Sequence, residues 1–332
     1  MADSIKSADS PNGERLDLYL VRHGHADSRR RARDLIAAGH VLVNGQRCRK
    51  GRNVTAQDLV DVTAPRTAAV LAPNPGLPLD VLYQDAELLI VNKPGLQPCH
   101  PLRGEERDTL MNAVVAHFPE AADAGVKPLE GGLVHRLDNG TSGATIVALG
   151  ESGFARLRAA LGNQTIVRSY LALATGILER PLQLDAPIAH HPHNRRKMIA
   201  VNDSRLADKL KARPALTRVK PIRRAGRFTL IDVTPRSGCR HQIRVHLAAA
   251  GFPLAGDELY GGPVMAALAP GRFFLHLAEL RIPRAAPMPN RVREDASRQD
   301  AIVVLAPLPA DLQACVAEAE RQGEGTCNGT TQ

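Results

Sequence analysis

The stretch His135-Arg136-Leu137-Asp138-Asn139-Gly140-Thr141-Ser142-Gly143-Ala144 sets a single carboxylate, Asp138, into a turn built from basic, hydroxylic and glycine residues. Gly140 and Gly143 permit tight or positive-φ backbone, Thr141 and Ser142 offer hydroxyls to a carboxylate or to nearby backbone, and Arg136 stands two positions before the acid. A carboxylate in this company is expected to stay ionised, which points to acid chemistry on a polyanion. By itself the string also reads as an ordinary turn, so the rest of the chain has to decide.

Working outward, residues 145–149 are strand-like, as are 80–92, 170–174, 228–233 and 301–305. Helical runs interleave with them. Residues 109–118 follow Asp108 as a cap, 154–161 follow Ser152 and end at Gly162, and 241–250 end at Gly251. Strands and helices in this alternation predict an α+β fold.

The chain has 332 residues, 44% of them hydrophobic, and no apolar run near 20 residues, so a sizeable core is expected and no membrane span. The start, Met1-Ala2-Asp3-Ser4-Ile5-Lys6, lacks the apolar stretch of a secretory signal and reads as a flexible leader over 1–14, which makes the cytoplasm the expected location. Cys48, Cys99, Cys239, Cys315 and Cys327 are scattered and lack paired ligand spacing, so reduced thiols are expected rather than disulfides or a zinc site. The histidines of His190-His191-Pro192-His193 have no clear acidic partner, and read as a polar loop rather than a metal site.

The net charge is +9, concentrated in two segments. Residues 29–52 carry eight Arg or Lys against Asp34 alone, and 195–227 carry twelve against Asp203 and Asp208, leaving the remainder net acidic. Such segments suit a phosphate backbone. With 3% aromatic residues and no Trp, a stacking platform for single strands is not expected, which favours structured RNA.

The first basic segment lies in a self-consistent module over residues 15–62. Ser28 is a good N-cap, Ala32, Leu35 and Ile36 have helical spacing, and Gly39 stops the helix, which leaves Arg29, Arg30 and Arg33 on its solvent side. Val41-Leu42-Val43 then enters an Asn44-Gly45 hairpin whose return strand carries Arg47, Arg49 and Lys50. One basic RNA-binding face is expected to join helix and hairpin. The segment resembles the alpha-L RNA-binding module found in a ribosomal small-subunit protein and in some tRNA synthetases. A Pro-rich stretch, 63–78, reads as a linker, and 316–332 as a disordered tail.

The longer remainder, 79–315, resembles the RluA-type family of RNA pseudouridine synthases. Four separated matches carry the likeness: Leu89-Ile90-Val91-Asn92-Lys93-Pro94-Gly95-Leu96 running to His100-Pro101, the Asp138 stretch, Arg168-Ser169-Tyr170, and Gly238-Cys239-Arg240-His241-Gln242-Ile243-Arg244-Val245-His246-Leu247 continuing to Asp257 and Tyr260-Gly261. Leu96 stands where a glycine is usual, and Cys239 where the family has arginine, with Arg240 displaced by one. The resemblance implies a catalytic domain with a mixed, mainly antiparallel sheet and a central cleft. It also implies Asp138 as the catalytic carboxylate, Arg244 facing it, and Tyr170 as the active-site aromatic. Arg136 would fill the place of a displaced nucleotide, Ile243 and Leu275 would wall the base, and His135 and Arg240 would join the substrate-binding set. Asn92, Lys93 and Pro94 would serve structure or RNA contact.

The implied reaction breaks a carbon–nitrogen glycosidic bond, turns the uracil over and rejoins it through a ring carbon. No redox step or external group enters, so no cofactor and no metal are expected, in keeping with the lack of a Walker loop or dinucleotide fingerprint. Asp138 could attack the sugar, attack the base, or remove a sugar proton. The substrate expected is ribosomal RNA, with transfer RNA open, and the protein is expected to be a monomer. A noncatalytic RNA-binding or ribosome-assembly factor is the reading from another class, against which Asp138, Tyr170 and Arg244 together argue. A methyltransferase would need a glycine-rich methyl-donor loop. A protein kinase is excluded by the leucine inside His135-Arg136-Leu137-Asp138 and the missing Asp-Phe-Gly.

Overall fold

Asn44 and Gly45 take up φ angles of 54° and 76°, the geometry that turns one strand directly into the next. The structure is a computed structural model that describes residues 3–6, 13–26, 29–48, 51–63, 70–284 and 301–324. Ser28, Arg49 and Lys50 lie outside the described residues, as do residues 64–69 of the expected linker, residues 285–300 and the chain from residue 325. The protein divides into two units, residues 1–70 and 71–332.

The first unit contains β1 (Asp3–Lys6), β2 (Glu14–Arg15), α1 (Leu16–Arg22), α2 (Arg29–Ala37), β3 (Val41–Val43), β4 (Gln46–Arg47), β5 (Asn53–Val54) and β6 (Leu59–Val62). Its four-stranded sheet runs β1-β6-β3-β4, and β2 pairs with β5. Ala32, Leu35 and Ile36 turn inward as their spacing predicts, onto Leu16, Tyr19, Leu20, Val41 and Val43. Gly39, at φ 78°, ends α2: its N–H donates to the Ile36 carbonyl, and that of His40 to the Leu35 carbonyl. One expectation fails. Residues 3–6 of the expected leader form a strand, because β6 offers an open edge and Asp3 to Lys6 pair with Val62 to Leu59.

The second unit contains β7 (Val81–Gln84), β8 (Leu88–Lys93), α3 (Leu110–His117), β9 (Ser142–Ala148), α4 (Glu151–Gly162), β10 (Val167–Thr175), β11 (Leu182–Leu184), β12 (Ile188–His190), β13 (Met198–Ala200), α5 (Ser204–Leu210), β14 (Thr217–Ala225), β15 (Phe228–Pro235), α6 (Gln242–Ala249), β16 (Leu275–Pro283), β17 (Ala301–Leu305) and α7 (Ala310–Glu324). Nine strands form one sheet, in the order β11-β14-β15-β10-β16-β9-β8-β7 with β17 on β16. Among the described strands only β9 and β16 run parallel, so the sheet is mixed and mainly antiparallel, and the unit is α+β as expected. The long β16 serves two neighbours on one side: His276 and Leu277 meet β9, and Glu279 to Pro283 meet β17. That fork puts the beginning of β9, and hence the Asp138 loop, one strand away from β10 and Tyr170, across Leu277 of β16.

Three boundaries differ from the sequence reading. The run 80–92 is a hairpin, not one strand, because Asp85 Oδ1 accepts from the Glu87 and Leu88 amides and turns the chain. The linker stretch is docked from Leu71 onward: Leu71 is buried, and Asn112 of α3 donates to the Ala72 carbonyl at 2.6 Å. The tail expected from 316 is helical to Glu324, since α7 buries Leu312, Cys315, Val316 and Ala319 against Phe228 and Phe274.

Candidate active site

Asp138 sits on a loop that neighbouring segments hold at almost every residue. Cys99 Sγ pairs with both the carbonyl and the amide of Leu137 at 3.3 Å. The Asn139 carbonyl accepts from the Leu96 amide at 2.5 Å and from Lys93 Nζ at 3.4 Å. Lys93 is fully buried, also donates to the Pro94 and Gln97 carbonyls at 2.8 Å, and burial draws its pKa down to about 8. Its part is therefore structural, the first of the two roles open to it. Arg272, likewise buried, donates to the Gly140 carbonyl and to Ser142 Oγ, and is paired with Asp311 of α7 at 2.7 Å. Gly140 has to be glycine: a Cβ there would stand 2.5 Å from the Gly271 carbonyl oxygen.

The carboxylate is held by charge, not by the hydroxyls next to it. Ser142 Oγ is engaged by His276 and Arg272, while Asp138 Oδ2 accepts from Arg244 Nη1 at 3.0 Å. Arg244, on α6, is 7% exposed, and its other edge is clasped by the buried Asp257 at 2.7 and 2.8 Å. Two parallel N–H···O bonds fix the guanidinium plane, so a single Nη1 edge is presented to Asp138. Phe273 and Tyr260 cover the guanidinium, with ring centres 4.1 and 5.0 Å from its carbon. Burial pulls the Arg244 pKa down, but the hydrogen bonds and charge of Asp257 outweigh it and hold it above the ordinary value. Asp138 Oδ1 makes no hydrogen bond among the described residues, and the side chain is 28% exposed. One oxygen is anchored and the other is open to a ligand.

Both carboxylate and tyrosine open onto one cavity of about 970 Å³. Tyr170 is 6% exposed, and its pKa is raised first by burial and further by the nearby Asp138 charge. Ile243 and Leu275 line the same cavity and are also members of the core. Arg136 is exposed at the cavity edge. Arg240 is exposed too, but reaches the Arg195 and Arg196 carbonyls at 3.3 and 3.4 Å. His135 borders the cavity as part of its wall: it is buried, its Nε2 accepts from the Ile146 amide at 3.2 Å, and burial pushes its pKa down to about 3. The structure thus brings Asp138, Tyr170, Arg244, Arg136, Arg240, Ile243, Leu275 and His135 around one space.

Asp257, Arg272, His241 and Tyr260 also shape the site, although sequence reasoning gave them no role. His241 Nδ1 lies 2.9 Å from the Tyr260 hydroxyl, which accepts from the Met198 amide, and His241 Nε2 lies 3.9 Å from Asp138 Oδ2. Burial lowers the His241 pKa to about 4, so the ring is neutral beside the carboxylate. It opens α6 at φ 54°, a left-handed conformation costly for a non-glycine residue. In the first unit, Arg29 is not free on the helix face: its guanidinium pairs with the buried Asp17 at 3.1 Å. Arg33 bonds the Arg29 carbonyl, Arg30 is exposed, and Arg47 lies against Gly39 at the end of α2. The His190–His193 loop is a hydrogen-bonded turn in which His191 Nδ1 accepts from the amides of His193 and Asn194. No described helix is long and apolar enough to cross a membrane.

Comparison with known proteins agrees with this geometry. The sequence model of the RNA pseudouridylate synthase family matches residues 87–249, and that of the S4 domain matches 14–60. An RNA pseudouridine synthase of Bacillus subtilis is 32% identical over 77% of this chain and 82% of its own length. Ribosomal large subunit pseudouridine synthase D of Escherichia coli is 34% identical over 75% of this chain and 73% of its own. Among solved structures, human RNA pseudouridylate synthase domain containing 1 superposes with a TM-score of 0.53 at 24% identity, covering 73% of this chain and 89% of that one, a likeness of fold. With its anchored carboxylate, mixed sheet and these relatives, the chain belongs to the RluA-type family of RNA pseudouridine synthases, which are isomerases, and carries an N-terminal S4 domain.

Proposed function

We propose that this protein converts uridine to pseudouridine in structured ribosomal RNA in the cytoplasm, with Asp138 as the catalytic carboxylate and no cofactor. The observation that carries the reading is the Asp257–Arg244–Asp138 chain, which leaves Asp138 paired with a guanidinium, oriented and open at one oxygen inside a cavity. Tyr170 supplies a ring against the base, Ile243 and Leu275 wall it, and Arg136 occupies the gap left by the flipped nucleotide. A relative named for the ribosomal large subunit favours ribosomal over transfer RNA. The basic residues Arg30, Arg33 and Arg47 of the first unit provide a second hold on RNA.

The test is release of tritium from RNA labelled at the fifth ring carbon of uridine. Wild type is expected to release it, and Asp138→Ala to release none while binding RNA with unchanged affinity. Comparing pseudouridine positions in ribosomal RNA from cells with and without the gene identifies the target. Equal release by wild type and Asp138→Ala would refute the assignment.

A further inference from the structure

Two arginines on the wall of the Asp138 cavity keep donors that nothing answers. Arg168 stands two residues before Tyr170 on β10, and Arg236 follows the last residue of β15, the strand paired with β10. Arg168 Nη2 donates to the Ser237 carbonyl at 3.0 Å, which places the two arginines on one continuous piece of wall. In each, Nε is shut off from solvent and meets no acceptor among the described residues. An N–H stripped of water and left unpaired destabilises the conformation that holds it, so both side chains gain by turning towards an incoming acceptor.

The cavity tells which acceptor suits them. Eight Lys and Arg residues line it against two acids, Glu130 and Asp138. Both acids are already engaged, Glu130 by Lys127 at 2.8 Å and Asp138 by Arg244 at 3.0 Å. Arg168 and Arg236 are therefore surplus positive charge. A uracil ring does not call for that, since its edge offers neutral carbonyls and an N–H, and Tyr170, Ile243 and Leu275 already wall it. A nucleotide rotated out of its stack, however, brings a phosphodiester on either side of its sugar to the cavity. Adjacent guanidinium forks match phosphate oxygens in both charge and geometry.

We propose that Arg168 and Arg236 together hold the phosphodiester next to the uridine bound at Asp138. This rests on the uridine reading given above. The contact is to a charge that every nucleotide shares, so the pair sets the position of the sugar over Asp138 and not the choice of sequence.

The experiment uses the full chain and a synthetic RNA hairpin that carries the mapped target uridine. One linkage at a time is replaced by an uncharged methylphosphonate, and affinity is read by fluorescence anisotropy. For wild type, neutralising one of the two linkages that flank the uridine is expected to weaken binding about tenfold. The double variant R168M/R236M is expected to start about tenfold weaker and to be indifferent at that same linkage, while R168K/R236K keeps the sensitivity. If both flanking linkages matter equally to wild type and to the Met variant, or if neither matters to wild type, the proposal is overturned. The wild-type comparison needs no variant, so indifference at both linkages overturns the proposal even if the Met substitutions unfold the protein, and the Lys variant, which keeps both charges, then carries the assignment to these two residues. Tritium release from the unmodified hairpin reports separately on the uridine chemistry, which could fail while the linkage effect stands, or stand while it fails.

Discussion

Leu96 holds a left-handed backbone, φ 67°, at the place where the family has glycine, and its side chain is 43% exposed. The conformation costs an L-residue about 1–2 kcal/mol, and glycine would return about 0.5–1 kcal/mol of that through a freer unfolded chain. Leu96→Gly is therefore expected to raise stability by up to about 1 kcal/mol, seen as a higher urea midpoint; a lower midpoint would mean that the leucine side chain matters more than its backbone. His135 gives a pH effect of definite sign. Its pKa falls from 6.5 to about 3 on folding, so between those values the unfolded chain binds the extra proton and stability drops as pH is lowered. From pH 7 to pH 5 that loss is about 2 kcal/mol, and His135→Gln, which can still accept from Ile146, should show a loss smaller by that amount. Equal losses would contradict it. At this scale the motif residues Asp138, Tyr170 and Arg244 were legible, because their residue types and spacing carry the family pattern. Arg272 was not: a fully buried arginine is rare, and its partner Ser142 lies 130 residues away, a pairing that sequence spacing cannot reveal. Asp257 stood inside a quoted motif, but its grip on Arg244 needed the fold.

Elements were legible where local chemistry and burial agreed. The strand over 301–305 was located to the residue, and the Asn44-Gly45 hairpin and the Gly39 helix stop follow from backbone preferences that tertiary contacts do not contest. Caps were less so. Thr109, not Asp108, caps α3, because Asn112 completes a reciprocal box with it, and Ser152 instead bonds Glu87 at 2.9 Å. β14 was hidden inside a run read for its charge. Its first residues alternate Thr217 in, Arg218 out, Val219 in, Lys220 out, a period of two that Pro221 interrupts with a break in register against β15. Helix α7 was missed because its polar residues are half of the signal: Arg223 pairs with Glu320 and Arg272 with Asp311, while the apolar stripe from Leu312 to Ala319 closes the core beneath. A short amphipathic helix at the end of a polar chain resembles a tail until its partner surface is known. The mainly antiparallel sheet was expected only through the family resemblance, since strand order is a property of long-range pairing.

Across the molecule, the proposed function divides holding RNA from acting on it, and the distribution of charge makes that division testable. Each unit has its own core, one built on Leu16, Leu20 and Ile36, the other on the nine-stranded sheet. The second basic segment is partly spent on structure, because Arg223 pairs with Glu320 and Arg224 bonds the Gly226 carbonyl, whereas Arg218 and Lys220 stay exposed on β14. The first is partly spent as well, Arg29 on Asp17 and Arg52 on Asp58, which leaves Arg30, Arg33 and Arg47 among its described cations for phosphate. Every phosphate neutralised releases counterions, and each contact adds about 0.7–0.9 to the slope of log affinity against log salt. A chain that begins at residue 71 should therefore bind ribosomal RNA more weakly, with a slope shallower by about 2–3 for three lost contacts. Tritium release at saturating RNA should persist, because Asp138, Arg244, Tyr170 and Asp257 all lie in the second unit. Titrations from low to moderate salt, run on the full and the shortened chains, measure both quantities. An unchanged slope would remove the first unit from RNA binding, and loss of release at saturation would mean that the chemistry needs that unit for more than affinity.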